Sequence, residues 1–206
     1  MKYTDIAPLV AFDAMGAPAP RVAYAVAQAA HEFFRLTRTY KVEMDPAKLP
    51  ANVSEFDLEI PSNTLLIEVS KVMYGGKPVH GRTPAQLFGD WESRTGDPDE
   101  YLVQGDALRL IPYPVEKKPT LLSVTFTVTP LLTATEIPDD IGAKFQEALI
   151  NGAKYFVLID VNKPWTNPNA AAVFRNEYMA TVNEQRILER KGGVRDASLQ
   201  VKMRRL

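Results

Sequence analysis

The residues able to do acid–base, nucleophilic or metal chemistry are few in this chain, and their spacing does not suit it. Of 206 residues two are histidines, His31 and His80, and none is cysteine. Disulfides, thiol catalysis and cysteine-ligated metal are thereby excluded, and the lack of cysteine agrees with a reducing compartment. His31 falls mid-helix beside Glu32, Phe33 and Phe34, where it reads as a structural or surface residue. His80 closes the stretch "YGGKPVHG". That stretch holds glycine and lysine without the GxxxxGK[ST] spacing whose backbone amides cradle phosphate, so it reads as a turn. HExxH, GxSxG and GxGxxG do not occur. Carboxylates stand close together at Asp57 with Glu59, at Asp97 with Asp99 and Glu100, and at Asp139 with Asp140. A general acid and base must be buried and must converge on one point. The first group instead alternates on an exposed strand face, the second lies in the loop "TGDPDEY", and the third opens a helix. The expectation is a protein that is not an enzyme and uses no metal or cofactor.

Composition and charge narrow the class further. Hydrophobic residues make up 46% and charged residues 24%, as in an ordinary globular chain. No run of 18 apolar residues offers a membrane span. The start "MKYTDIAPLV" lacks the long apolar segment of a signal peptide. The net charge of −1 hides an asymmetry. From Arg186 to Leu206 there are seven basic and two acidic residues, which leaves 17 basic and 23 acidic residues for the remainder. A basic end on an acidic body points to a partner for that end, with a solvated tail as the alternative.

The elements that must position these residues follow from periodicity. "APAPRVAYAVAQAAHEFFRLTRTY" predicts a first helix, with Pro20 in its first turn and Val22, Val26, Ala29, Phe33, Leu36 and Tyr40 on one face. Alanines at 23, 25, 27, 29 and 30 allow close helix packing. From about residue 41 the period becomes two. Phe56, Leu58 and Ile60 alternate with Asp57 and Glu59, Gly75–Gly76 marks a turn, and "YLVQGDALRLIPYP" reads as a hairpin tipped by Gly105–Asp106. In "LLSVTFTVTP", Leu122, Val124, Phe126 and Val128 share one face, and Ser123, Thr125, Thr127 and Thr129 the other. After Pro138 the helical period returns, with Ile141, Phe145, Ala148, Leu149, Ala153 and Phe156 as the buried stripe. Asn167 is placed to cap a last helix, from Pro168 to Lys191, that stops at Gly192–Gly193.

The expected fold class is therefore α+β. A helical bundle built from the N- and C-terminal helices carries an inserted antiparallel β domain, a sandwich or a small barrel, and an extended C-terminal arm. The expected divisions are 1–40 and 138–191 for the bundle, 41–137 for the β domain and 192–206 for the arm. Phe33, Phe34, Tyr155, Phe156, Phe174 and Tyr178 fall on helix patterns and read as core. Trp165 reads as packing at the corner between the last two helices, and Trp91 lies in the polar loop "LFGDWESRTGDPDEY". The β region lacks the interleaved basic and aromatic residues that single-strand binders use. An acidic body also disfavours sequence-independent DNA affinity.

At the third helix a resemblance emerges. "IPDDIGAKFQEALINGAKYFVLIDVNKPWTNPNAAAVFRNEYMATVNEQRI" resembles the matching stretch of phage head-to-tail connector proteins, the adaptor family of tail tubular or gatekeeper type. The features that carry it are the Pro138-led helix, the Gly152–Ala153 pair inside it and the "PWTNP" corner, Pro164–Pro168. A long helix with Phe174 and Tyr178 then runs into a glycine-containing basic tail. Upstream, the first helix and the β region with "LRLIPYP" follow the same layout. The resemblance implies a structural virion protein, assembled in the host cytoplasm. It implies a ring of about twelve subunits under the capsid portal, which extends the DNA channel and presents a docking surface to a tail, nozzle or tail-terminator protein. Genomic DNA would pass through without sequence-specific binding, and no membrane is involved. The loop with Trp91 and Arg94 is then a candidate tail-docking surface.

The same resemblance gives the basic end a role as an arm that reaches the portal. Its own residues agree. After Asp196 the pattern alternates, with Leu199, Val201 and Met203 on one side and Gln200, Lys202 and Arg204 on the other. An extended segment of this kind can add to a sheet edge on a partner. Gly192 and Gly193 supply the hinge. Leu199, Val201 and Met203 are the apolar contacts, and Arg195, Lys202, Arg204 and Arg205, with the terminal Leu206, face an acidic portal surface. The alternative is a nucleic-acid-binding accessory protein that uses the basic tail.

Overall fold

The computed structural model describes residues 1–49, 53–115 and 120–192. They divide into two compact units, Met1–Thr39 with Thr135–Leu206, and Tyr40–Ala134. The first unit contains four helices and the second a sheet of eight strands.

In the helical unit, α1 spans Tyr3–Ala11, α2 Ala19–Thr37, α3 Asp139–Leu158 and α4 Pro168–Arg190. Helix α2 begins after Pro18 with Pro20 in its first turn and ends where Arg38 turns left-handed, at φ 58°. Val22, Val26, Ala29 and Phe33 are buried as expected, and so are Ala25, Ala27, Ala30 and Phe34. The buried face is wider than one stripe because α2 packs against α1, α3 and α4 together. Leu36 is half-buried, and Tyr40 lies beyond the helix end. On α3, Phe145, Ala148, Leu149 and Ala153 are buried with Gly142, Gly152, Val157 and Leu158, whereas Ile141 and Phe156 are half-buried at the margins. Asn167 caps α4, its side-chain oxygen accepting from the Ala170 amide at 3.1 Å.

Helix α1 is an element that the periodicity does not announce. Pro8 stands inside it, removes one backbone donor and lowers its intrinsic propensity. It forms because Tyr3, Ile6 and Val10, three and four residues apart, bury one face against α2 and α3. The Tyr3 amide also donates to the Thr135 carbonyl at 2.9 Å, which ties the helix start to the chain entering α3.

The core of this unit is aromatic. The Phe33 ring lies 5.3 Å from Phe34, 4.9 Å from Phe145 and 6.2 Å from Tyr178, so α2, α3 and α4 all contribute to one cluster. Burial pushes the Tyr178 phenol far above its usual range, and its hydroxyl donates to the Ala29 carbonyl at 3.2 Å. Gly152 sits at the same crossing, against Tyr178 and Ala29.

In the sheet unit, β1 is Lys41–Glu43, β2 Ala47–Leu49, β3 Glu55–Asp57, β4 Thr64–Tyr74, β5 Lys77–Gly81, β6 Glu100–Gln104, β7 Ala107–Ile111 and β8 Thr120–Pro130. The order is β1-β8-β4-β5-β6-β7-β3, with β2 also on β8. The Gly75–Gly76 and Gly105–Asp106 turns join β4 to β5 and β6 to β7 as expected. The expected sandwich or small barrel is corrected to one curled, open sheet, a half-barrel among the described residues. Nor is it wholly antiparallel. β5 and β6 run parallel, His80 opposite Glu100 and Gly81 opposite Tyr101. The long connection 82–99, with 3-10 turns at Pro84–Gln86 and Trp91–Ser93, lets the chain re-enter in the same direction, which a tight hairpin cannot do.

Strand β8 buries Leu122, Val124, Phe126 and Val128, as the alternation requires. On the other face, Thr127 and Thr129 are buried too. A threonine tolerates this because its hydroxyl can find an acceptor, and that of Thr127 faces the Glu68 carbonyl at 3.4 Å. Strand β4 carries two register shifts against β8, at Leu66/Glu68 and Val69/Lys71, and such bulges bend and twist a strand.

Candidate functional site

The two histidines and the carboxylate groups do not converge. His31 is half-buried on α2, and His80 is exposed on β5. Asp57 and Glu59 are exposed, Asp97 pairs with Lys77 at 2.7 Å, and Glu100 pairs with Arg82 at 2.5 Å. Asp139 pairs with the Met1 amino group. Among the described residues no cluster of three or more histidine, aspartate or glutamate side chains could hold a metal ion. No described helix is long and apolar enough to cross a membrane.

Two other constellations are built with more care. The first is the "PWTNP" corner. Arg21, on the first turn of α2, donates twice to the Asp160 carboxylate, from Nε to Oδ2 and from Nη2 to Oδ1, each at 2.8 Å. Its Nη2 also reaches the Phe156 carbonyl at 2.5 Å. Trp165 Nε1 donates to Asp160 Oδ2 at 3.1 Å, and Thr166 Oγ1 donates to the Asp160 carbonyl at 2.5 Å. The Asn167 amide returns to the Leu158 carbonyl at 2.9 Å. The Asp160 carboxylate and the carbonyls at the end of α3 together tie the start of α2 and the approach to α4 to one corner. Trp165 does sit at the corner, as expected from sequence. Its partner Asp160 carries no motif or spacing that would single it out.

The Arg21 guanidinium, with Trp165 in support, holds the Asp160 carboxyl below the usual carboxylate range. The unfolded chain therefore takes up this proton first on acidification. The stabilisation is complete above the ordinary carboxyl value of about 3.9 and is lost as pH falls through the lower folded value. Asp160→Asn is expected to cost about 1–2 kcal/mol near neutral pH, since a charge-assisted pair becomes a neutral one. Urea melts at about pH 7 and about pH 3 check this: the gap between variant and parent should narrow at the lower pH.

The second constellation is the 82–99 connection. Arg94 Nη2 donates to the Phe88 carbonyl at 2.7 Å, and the Tyr113 amide donates to the Arg94 carbonyl at 2.7 Å. The Arg109 guanidinium, from β7, lies 5.0 Å from the centre of the half-buried Trp91 ring. Phe88, whose carbonyl Arg94 holds, is 76% exposed. The structure thus gathers Trp91 and Arg94 into one anchored loop and adds Phe88 and Arg109. The apolar "LF" before "GDW" is the available signal for Phe88. Arg109 belongs to another strand, and no local pattern pairs it with Trp91.

Of the expected arm, only Gly192 lies among the described residues. Its φ is +64° and its amide donates to the Glu189 carbonyl at 3.0 Å, a left-handed helix stop that glycine adopts freely. Gly193, Arg195, Leu199, Val201, Lys202, Met203, Arg204, Arg205 and Leu206 lie outside them.

Compared with known families, residues 1–204 match the SU10 adaptor protein family. The chain belongs to that family. It is a phage head-to-tail adaptor family, in agreement with the resemblance read from the third helix onward. No individually curated protein matches the sequence. In the adaptor, the match runs through both units and beyond Gly192, so the Asp160 corner, the Trp91 loop and the basic end all belong to the family's span. A third contact completes the adaptor's helical unit. Lys154 on α3 is mostly buried between the Asp13 carboxylate, at 2.5 Å, and the Phe174 ring, 4.8 Å away. It joins the α1–α2 turn to α4.

Proposed function

We propose that this adaptor is a structural subunit of the virion, one of about twelve in a head-to-tail ring under the capsid portal. The ring extends the DNA channel, and its other face receives a tail, nozzle or tail-terminator protein. The family match over residues 1–204 carries the reading. The helices form a bundle that supports the ring, and residues 192–206 form the arm. Arg195, Lys202, Arg204 and Arg205 are charge partners for an acidic surface on the portal or on a neighbouring subunit, and Leu199, Val201, Met203 and Leu206 are the apolar contacts beside them. The Phe88–Trp91–Arg94 loop is the tail-docking surface, since an exposed aromatic beside fixed arginines is the composition that interfaces favour. Outside the Arg186–Leu206 end the chain carries 17 basic and 23 acidic residues. A channel wall of that sign lets DNA slide without sticking.

Deletion of residues 194–206 is expected to weaken capture by purified portal at least tenfold while leaving the melting temperature within about 2 °C. Unchanged portal affinity would remove the arm from this role. Electron microscopy of the adaptor mixed with portal should show a ring only when both are present. A DNA-contact role for the basic end predicts a salt-sensitive gel shift, and none is expected at low salt.

A further inference from the structure

The sheet unit contains a gap with two strand edges in it. Strand β4 pairs with β8 from Thr64 to Tyr74, but its other edge pairs with β5 only at Val72–Tyr74. Strand β6 pairs with β7 along its whole length, but with β5 only at Glu100 and Tyr101. β5 therefore bridges the two strands at one end and then leaves. Leu65, Leu66, Ile67 and Val69 on one side, and Leu102, Val103 and Gln104 on the other, have no described strand on the facing edges. The Tyr101 hydroxyl spans the closed end, donating to the Val69 carbonyl at 3.2 Å. Between the edges lies a cavity of about 680 Å³. Gly81–Pro84 line the end where β5 departs, and Asp106 lines the rim.

Apolar strand edges of this kind are normally short, charged or covered, because they template pairing with other chains. We propose that this gap receives the C-terminal segment of a second copy of the chain, residues 198–205, as an added strand. Three observations choose this occupant. The segment alternates Leu199, Val201 and Met203 with Gln200, Lys202 and Arg204, the pattern of a strand with one apolar face. Its charge is complementary: residues 193–206 hold four basic residues and one acidic, while residues 40–134 hold nine basic and thirteen acidic. Glu68 and Asp106 line the gap itself, and Arg82, the basic residue of the lining, is paired with Glu100. Third, arm and gap are two different surfaces on one chain, which is what a head-to-tail contact between identical subunits needs in order to close a ring. Backbone hydrogen bonds to the β4 or β6 edge supply affinity, and the apolar residues fill the cavity.

The inference rests on the ring reading and names an acceptor for the arm inside the ring. Its test uses the absence of native cysteine. Full-length Val103→Cys and Val201→Cys chains are mixed in the presence of portal and mildly oxidised. A disulfide-linked heterodimer is expected, at least tenfold above a control in which Val161→Cys replaces Val103→Cys. Linkage no greater than the control overturns the proposal. So does an internal disulfide without dimer when both substitutions are in one chain, since the arm would then serve its own sheet. To guard against misfolding of the variants, a peptide of residues 194–206 added to the unmodified protein should slow amide exchange in residues 65–69 and 102–104, and no slowing overturns the proposal. Portal capture that persists without the linkage removes the gap assignment alone. Linkage without portal capture removes the portal placement and keeps the gap.

Discussion

Gly152→Val is expected to be among the most damaging single substitutions in the helical unit, costing about 3 kcal/mol. A Cβ at position 152 would stand 2.8 Å from Tyr178 Cε2 and 2.9 Å from the Ala29 Cβ. Neither neighbour can yield cheaply. The Tyr178 ring is held in the aromatic cluster and by its bond to the Ala29 carbonyl, and Ala29 Cβ is fixed to the α2 backbone. Overpacking a tight core costs about 1–3 kcal/mol, and a β-branched side chain falls at the upper end. Glycine inside a helix is itself unfavourable by roughly 0.5–1 kcal/mol relative to alanine. Its presence is therefore explained by the close approach of three helices. Gly152→Ala should recover that propensity and still lose on balance, by about 1 kcal/mol. Urea denaturation followed by circular dichroism measures both. A Gly152→Val protein as stable as the parent, to within about 0.5 kcal/mol, would refute the packing account.

Phe126→Ala is expected to cost about 3–5 kcal/mol in the sheet unit. Phe126 is fully buried at the middle of β8, opposite Val42 on β1 and Val69 on β4. β8 is flanked on both sides, so the cavity left by the ring cannot collapse by moving an edge. Trp91 lies in this unit and Trp165 in the other. Fluorescence of a Trp165→Phe background therefore reports the sheet unit, and there the Phe126→Ala midpoint should fall. An unchanged midpoint in that background would mean that β8 is not the centre of the sheet's core.

The long amphipathic helices are legible in the sequence because their periods are long and their boundaries carry chemistry: Pro20 at the start of α2, Asn167 and Pro168 at the start of α4, Gly192 at its end. The β4–β5 and β6–β7 hairpins are legible from their glycine turns. Helix α1 is not, because nine residues with an internal proline depend on tertiary burial of Tyr3, Ile6 and Val10. The parallel β5–β6 pair is not, because nothing local in residues 82–99 states the direction in which the chain returns. Site residues divide on the same principle. Trp91 and Arg94 share a loop and can be suspected together, but Arg109 comes from the β6–β7 hairpin. Asp160 reads as an ordinary polar residue after a helix until Arg21, 139 positions away, is seen to grip it.

The helical unit is assembled from both ends of the chain, with the sheet unit in between. During synthesis, α1 and α2 emerge with apolar faces whose partners are about a hundred residues or more behind them. The sheet unit can close before α3 and α4 have been made, whereas Phe33 waits for Phe145 and Tyr178. Closing so long a loop is slow but adds little to the final equilibrium. This places the vulnerable interval late in translation. Fragments truncated before α4 should accordingly be held by chaperones or degraded, and a chain becomes competent to assemble once its last helix has docked.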